Sequence, residues 1–267
     1  MININITTNK FWKKYNKNNL TIWIKGYIYS HSIDKIIEIC KDIKKNEVSS
    51  FIKSIYGHFA LVVQKNDLTF IAVDKIRSTP LFFAKIKDDF FIDYDPKNLV
   101  KFNQFHKIID ENAKLEVAMS GFTIGNKTIY KNLHSLKAGE LVLFQYDSHE
   151  YEHYYKYFGK VDNKSFDEHL EKLSEVTLNI FQKMLSQIGN RQIVIPLSGG
   201  YDSRLIVSIL SHLGAKNVKC YTYGTTGNFE AKIAKKIAQK IGYEWKFIPL
   251  TYKSEKNIIQ LVNIMNI

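Results

Sequence analysis

Several things are scarce in this 267-residue chain, and each scarcity excludes something. It has two cysteines, Cys40 and Cys220, far apart in sequence. That excludes a disulfide scaffold and suits a reducing, cytoplasmic setting. No apolar run reaches the ~18 residues of a membrane helix. The N-terminal stretch has neither a basic n-region nor an apolar h-region, so it does not read as a signal peptide. Arginine is rare as well, with only Arg77, Arg191 and Arg204, so the remaining basic residues are lysines. The net charge of +12 therefore makes a poor case for nucleic-acid binding, whose contacts favour the arginine fork. Lys, Ile, Asn, Tyr and Phe share A/T-rich codons, and the simpler reading is a solvated lysine surface.

What is present describes a globular chain. Hydrophobic residues make up 45%, aromatics 13% and charged residues 24%. The length allows one large domain or two modest ones, with a core that needs no metal staple. The first part reads as β-rich, with strands at 21–29, 59–64, 69–73, 80–85, 89–93, 123–130 and 140–146. One early helix, over 34–45, carries Ile36, Ile37, Cys40 and Ile43 on one stripe. The character changes near Asp162. A long amphipathic helix is expected from Ser165 to Ile188, opened by a capping pair, Ser165 and Glu168. Strands at 192–197, 218–223 and 245–250 then alternate with helices at 204–213 and 230–241. A further helix is expected to start at Ser254. This β-α-β-α-β order predicts a parallel sheet with right-handed crossovers.

The sharpest motif is Ser198-Gly199-Gly200-Tyr201-Asp202-Ser203, between a buried strand and a helix. Two glycines alone would fit an ordinary βα turn. The complete motif fits an anion cradle. Glycines at positive φ would let successive N–H groups face one ligand. The helix N-terminus adds its positive end, and Ser198 and Ser203 add hydroxyl donors. Asp202 beside a phosphate calls for a divalent cation between them, which points to Mg²⁺.

This motif resembles the pyrophosphate-binding loop of the N-type ATP pyrophosphatases. Tyr56-Gly-His-Phe-Ala-Leu-Val-Val63, Ile71-Ala-Val-Asp-Lys-Ile-Arg-Ser-Thr-Pro-Leu-Phe-Phe83 and His134-Ser-Leu-Lys-Ala-Gly-Glu-Leu-Val-Leu-Phe144 are similar to class II glutamine amidotransferase domains. Tyr221-Thr-Tyr-Gly224 and Phe229-Glu-Ala-Lys-Ile-Ala234 resemble the second nucleotide strand and its helix. The order is that of the asparagine synthase family. The resemblance implies an α/β chain in two domains. Residues 1–158 would be an amidotransferase-like Ntn αββα sandwich. Residues 159–267 would be the first part of a Rossmann-like ATP pyrophosphatase domain. It further implies a carbon–nitrogen ligase that adenylates a small-molecule carboxylate with ATP and Mg²⁺. Leu197, Ser198, Gly199, Gly200, Asp202, Ser203, Tyr223 and Gly224 would hold the nucleotide. Leu197 and Tyr223 would act through their backbone, and Gly224 would admit the purine. Asp202 would be the metal ligand, and Asp202 and Ser203 the residues carrying the chemistry. Arg204 would either touch a phosphate or face the first domain.

Two departures qualify that expectation. Class II amidotransferases use an N-terminal cysteine whose own amine is the base, and here Ile2 follows Met1. Cys40 lies on an apolar stripe and reads as a core residue. Glutaminase activity is therefore not expected, and the nitrogen donor would be ammonia or another amine. The family's later acidic loop and catalytic lysine are also not found in these 267 residues. The expectation is a fragment, a split product or a decayed homologue. It would be completed by a separate C-terminal synthetase chain or would act as a homodimer, with no membrane or nucleic-acid partner. His149 and His153 have no third ligand in sequence, so a metal site is not expected there.

Overall fold

The computed structural model describes residues 1–9, 11–65, 68–145, 148–159 and 161–250. The expected helix after Ser254 lies outside the described residues. The chain divides into two compact units, the first Met1–Val161 and the second starting at Asp162.

The first unit begins with β1 (Ile2–Ile4), β2 (Trp12–Lys17), β3 (Leu20–Ile28), α1 (Ile33–Asp42) and α2 (Val48–Ser54). Then come β4 (Gly57–Lys65), β5 (Leu68–Val73), β6 (Phe82–Ile86) and β7 (Asp89–Asp93). It ends with α3 (Pro96–Val100), α4 (Glu111–Ser120), β8 (Leu133–Ser135), β9 (Glu140–Gln145) and β10 (Ser148–His153). Two sheets result. One has six strands in the order β10-β9-β5-β4-β3-β2, and the other four in the order β1-β7-β6-β8.

Strand alternation explains how these sheets stack. Along β4, Phe59, Leu61 and Val63 face one apolar cluster, while Ala60 and Val62 face another. β5 and β9 divide in the same way, with Phe70 and Leu143 on one side and Ile71 and Phe144 on the other. A strand with both faces buried needs a layer on each side. The α1 and α2 side chains Ile36, Cys40, Phe51 and Ile52 supply one. The inner face of the four-stranded sheet supplies the other through Phe83, Phe90 and Ile92. That second sheet is covered outside by Leu99 of α3 and by Phe105. The unit is thus an αββα sandwich, as the sequence reading anticipated.

One sequence expectation fails here. Residues 123–130 form turns, with only an isolated bridge between Ile109 and Tyr130. Local bonds compete with a sheet ladder: Thr123 Oγ1 donates to the Lys127 carbonyl and Thr128 Oγ1 to the Tyr130 and Leu133 carbonyls. Gly121 and Gly125, at φ 81 and 77, add left-handed corners.

The second unit holds α5 (Phe166–Ile188), β11 (Ile193–Pro196), α6 (Tyr201–His212), β12 (Val218–Gly224), α7 (Phe229–Ile241) and β13 (Glu244–Pro249). Ser165 and Glu168 form the expected capping box. The three strands are parallel in the order β11-β12-β13, as the alternation predicted. Val218 and Cys220 meet Val207 and Leu210 of α6 and Ala234 and Ala238 of α7. Phe181, Met184 and Leu185 of α5 join this cluster. Its strand members all lie on one face of the sheet. The other face carries Val194, Lys219, Tyr221 and Tyr223.

Asp74 organises the end of the first unit's larger sheet. Its buried carboxylate accepts from the backbone N–H groups of Phe59, Ile76 and Ser78. Its carbonyl accepts from Arg77 and Gly139. Asp74→Ala would strand three donors and cost about 3 kcal/mol of stability, whereas Asp88→Ala, on an exposed turn, would cost under about 0.5 kcal/mol. Urea unfolding of the two variants measures this difference.

His134 stacks on Phe83 at 5.0 Å, and His149 lies 5.7 Å from His134 among Phe83, Phe90 and Tyr151. Burial lowers both pKa values, with smaller contributions from His149 on His134 and from Lys85 on His149. The unfolded chain then binds protons more readily than the folded one. The stability these groups contribute is complete above a pH of about 6.5 and is lost as pH falls from there through the lowered folded values. His134→Phe should flatten that decline in a pH series of unfolding free energies.

Candidate functional site

Strand β11 ends at Pro196, opposite Tyr221, β12 runs on to Gly224, and helices α6 and α7 start beyond those ends. In a parallel sheet, this carboxyl edge is where helix N-termini converge. The motif sits here.

The loop is closed by its own serines. The Ser198 N–H donates to Ser203 Oγ at 3.1 Å, and the two hydroxyls share a 2.9 Å hydrogen bond. The Gly200 N–H donates to Ser198 Oγ at 3.1 Å. The helix starts earlier than its sequence suggested, at Tyr201 rather than Arg204. Gly200 is its N-cap, so Asp202 and Ser203 lie in its first turn. Asp202 is exposed there, where a carboxylate complements the helix dipole. Among the described residues no side chain caps this N-terminus, so its first N–H groups are open to an outside acceptor.

The glycine expectation needs a correction. Neither Gly199 nor Gly200 takes a positive φ, and Gly200 lies at φ −73. Crowding does not demand glycine at 199 either. A Cβ there would lie 3.5 Å from Ile233 Cδ1 and 3.8 Å from Glu230 Cγ, ordinary contacts. Gly224 differs. It has φ 151, and a Cβ would approach Asn228 Nδ2 to 2.9 Å. Its first obstacle to a side chain is thus within the protein.

Leu197 is buried and donates its N–H to the Tyr221 carbonyl at 2.8 Å. Its carbonyl accepts from Thr222 Oγ1 at 2.6 Å, and Thr222 Oγ1 accepts from Trp245 Nε1 at 2.9 Å. This relay ties the loop's first peptide to β12 and β13. Sequence reasoning missed both side chains. The available signal was a threonine in the buried phase of Val218, Cys220 and Thr222. Tyr223 follows with its side chain exposed, and the Gly224 carbonyl accepts from Leu250. Arg204 turns back onto its own loop. Its Nη2 donates to the Gly199 carbonyl at 3.0 Å, and its guanidinium carbon lies 5.2 Å from the Tyr201 ring centre.

The loop residues 197–203 are therefore contiguous at one sheet edge, with Gly224 closing the neighbouring strand. Among the described residues, no group of three or more His, Cys, Asp or Glu side chains could hold a metal. A magnesium ion here would use Asp202, with the remaining oxygens coming from phosphate and water. That donor set suits a hard cation.

Neither cysteine has the exposure of a nucleophile. Cys40 is buried in the α1 layer, and burial pushes its thiol up to about 12. Burial raises Cys220 to about 11. A thiol that stays protonated is a poor nucleophile. His149 packs among aromatic rings, and His153 pairs with the buried Glu140 at 3.3 Å.

Residues 37–155 match the family described as glutamine amidotransferase domain, and residues 187–263 match asparagine synthase. No curated protein matches the sequence. Among solved structures, a glutamine phosphoribosylpyrophosphate amidotransferase from B. subtilis, complexed with ADP and GMP, is 11% identical, with a TM-score of 0.37. The match covers 90% of this chain and 73% of that one. A structure described as the allosteric regulatory enzyme of purine biosynthesis is 12% identical, with a TM-score of 0.34, covering 91% of this chain. This chain spans 50% of that protein's length. Among the described residues, no helix is long and apolar enough to cross a membrane. Two stretches of the chain are thus similar, in order, to a glutamine amidotransferase domain and to asparagine synthase.

Proposed function

We propose that the second unit binds ATP with Mg²⁺ at residues 197–203 and activates a small-molecule carboxylate for amide formation. The observation that carries this reading is the uncapped α6 N-terminus at the end of a parallel strand, with Ser198 and Ser203 locking the loop before it. Ser198, Gly199 and Gly200 would surround the phosphates. Leu197, Tyr223 and Gly224 would line the nucleoside. Asp202 would hold the magnesium, which supplies charge neutralisation on the pyrophosphate leaving group. This chain's own contribution is electrostatic. Its helix dipole and N–H donors are fixed in place before charge develops, so they need no reorganisation during the reaction.

A carboxylate oxygen attacks the α-phosphorus of ATP, and the bond to pyrophosphate breaks. The acyl adenylate then loses AMP to a nitrogen nucleophile, forming the amide. Neither Cys40 nor Cys220 is placed to release ammonia from glutamine, so the nitrogen would come from free ammonia or another amine.

A second reading is a nucleotide-binding module that turns over only with a separate chain. One observation favours it: the described apolar cluster of the second unit draws on a single sheet face, leaving Tyr223 58% exposed on the other. Calorimetry with ATP and Mg²⁺ separates the two readings. Binding without pyrophosphate release supports the module, and release by the chain alone supports the enzyme.

Asp202→Ala should remove ATP-dependent pyrophosphate release, at a cost of about 3 kcal/mol or more in transition-state stabilisation. Unchanged release from this variant would sink the assignment. Thr222→Val leaves the Leu197 carbonyl and the Trp245 N–H without partners. It should weaken ATP binding roughly tenfold, and Thr222→Ser should restore it. Calorimetric dissociation constants for the three proteins check this.

A further inference from the structure

The first unit contains a cavity that the amide-forming reading does not use. It encloses about 680 Å³ on the outer side of the four-stranded sheet, under α3 and the turns after α4. That lies within the ~300–1,000 Å³ range of small-molecule sites. Its apolar wall includes Phe82, Phe122 and Tyr130, with Leu133 behind them. Tyr130 is held edge-on against Phe105 at 5.7 Å, which fixes one ring plane.

The charge on the rim is of one sign. Arg77, Lys97, Lys101 and Lys127 line the cavity, and among the described residues no carboxylate does. Lys127 pairs with Glu116 outside the lining and the Arg77 guanidinium feels the buried Glu140, whereas Lys97 and Lys101 make no ion pair among the described residues. Arg77 is anchored by Nη2 donating to the buried Ser135 Oγ at 2.7 Å, and it takes φ 57, which non-glycine residues seldom adopt. Lys97 and Lys101 are four residues apart across the end of α3, a like-charge spacing that weakens a helix. A bound anion would relieve that repulsion.

We propose that this cavity binds an aromatic carboxylate, its ring against Phe82, Phe122 and Tyr130 and its carboxylate among Arg77, Lys97 and Lys101. The first unit would then be a small-ligand-binding domain built on an amidotransferase sandwich. All the residues involved lie within that unit, so the proposal stands apart from ATP binding in the second.

The test is calorimetric titration of the full chain with 2-naphthoate, and with 2-naphthamide as the neutral control. The expected result is saturable binding of 2-naphthoate. The exposed pair Lys97→Gln/Lys101→Gln should weaken it about fivefold or more without lowering the melting temperature. 2-Naphthamide should bind to wild type more weakly than the acid. Phe122→Ala, at an exposed position, should also weaken the acid. The proposal is overturned if 2-naphthoate does not bind at millimolar concentration. It is equally overturned if the lysine pair leaves the affinity unchanged, or if the amide binds as well as the acid.

Discussion

Burial on both faces of the β3–β4–β5–β9 region is the constraint from which the first unit follows. Val62 and Val63 point to opposite sides, and both are fully buried. A sheet of this kind cannot stand alone in water, because either bare face would expose a continuous apolar surface. The helix layer and the second sheet are therefore coupled through these strands. The polar network at the sheet's end fits the same logic. Asp74 pairs the backbone groups that the turn leaves over, and Tyr154 donates to the carbonyl of Val73 at 2.6 Å. Dry strands can end inside the protein only where such partners exist.

The second unit follows a different rule. Its strands are short, and the members of its main apolar cluster lie on one face, against α6 and α7, with Ile248 buried on the other. Both crossover helices pack into one cluster with the same strand face, and each begins after the carboxyl end of its parallel strand. The candidate site follows from topology first and from side chains second. Ser198, Ser203 and Thr222 then fix the angle at which the loop leaves β11.

Legibility in the sequence followed locality. The loop from Ser198 to Ser203 was readable because its chemistry lies within six consecutive positions. The Ser165 capping box and the stop at Gly242 were readable for the same reason. Helix α4 was not, because only Ala113 of its residues is buried and no apolar stripe marks it. Strand β2 is an edge strand with lysines at 13, 14 and 17, a composition that protects edges and hides them from pattern reading. The Trp245–Thr222–Leu197 relay depends on the register between β12 and β13, which no single stretch of sequence carries. The start of α6 was misjudged because Asp202 and Ser203 look like caps, while Gly200 takes that place.

The burial of both thiols carries a practical corollary. Maleimides and iodoacetamides react through thiolate, and neither Cys40 nor Cys220 offers one on the surface of the folded protein. The wild-type chain is in effect a cysteine-free background. A single cysteine introduced at the exposed Tyr223 would be the one accessible thiol among the described residues, so a fluorophore attached there would report from the edge of the Ser198–Ser203 loop alone.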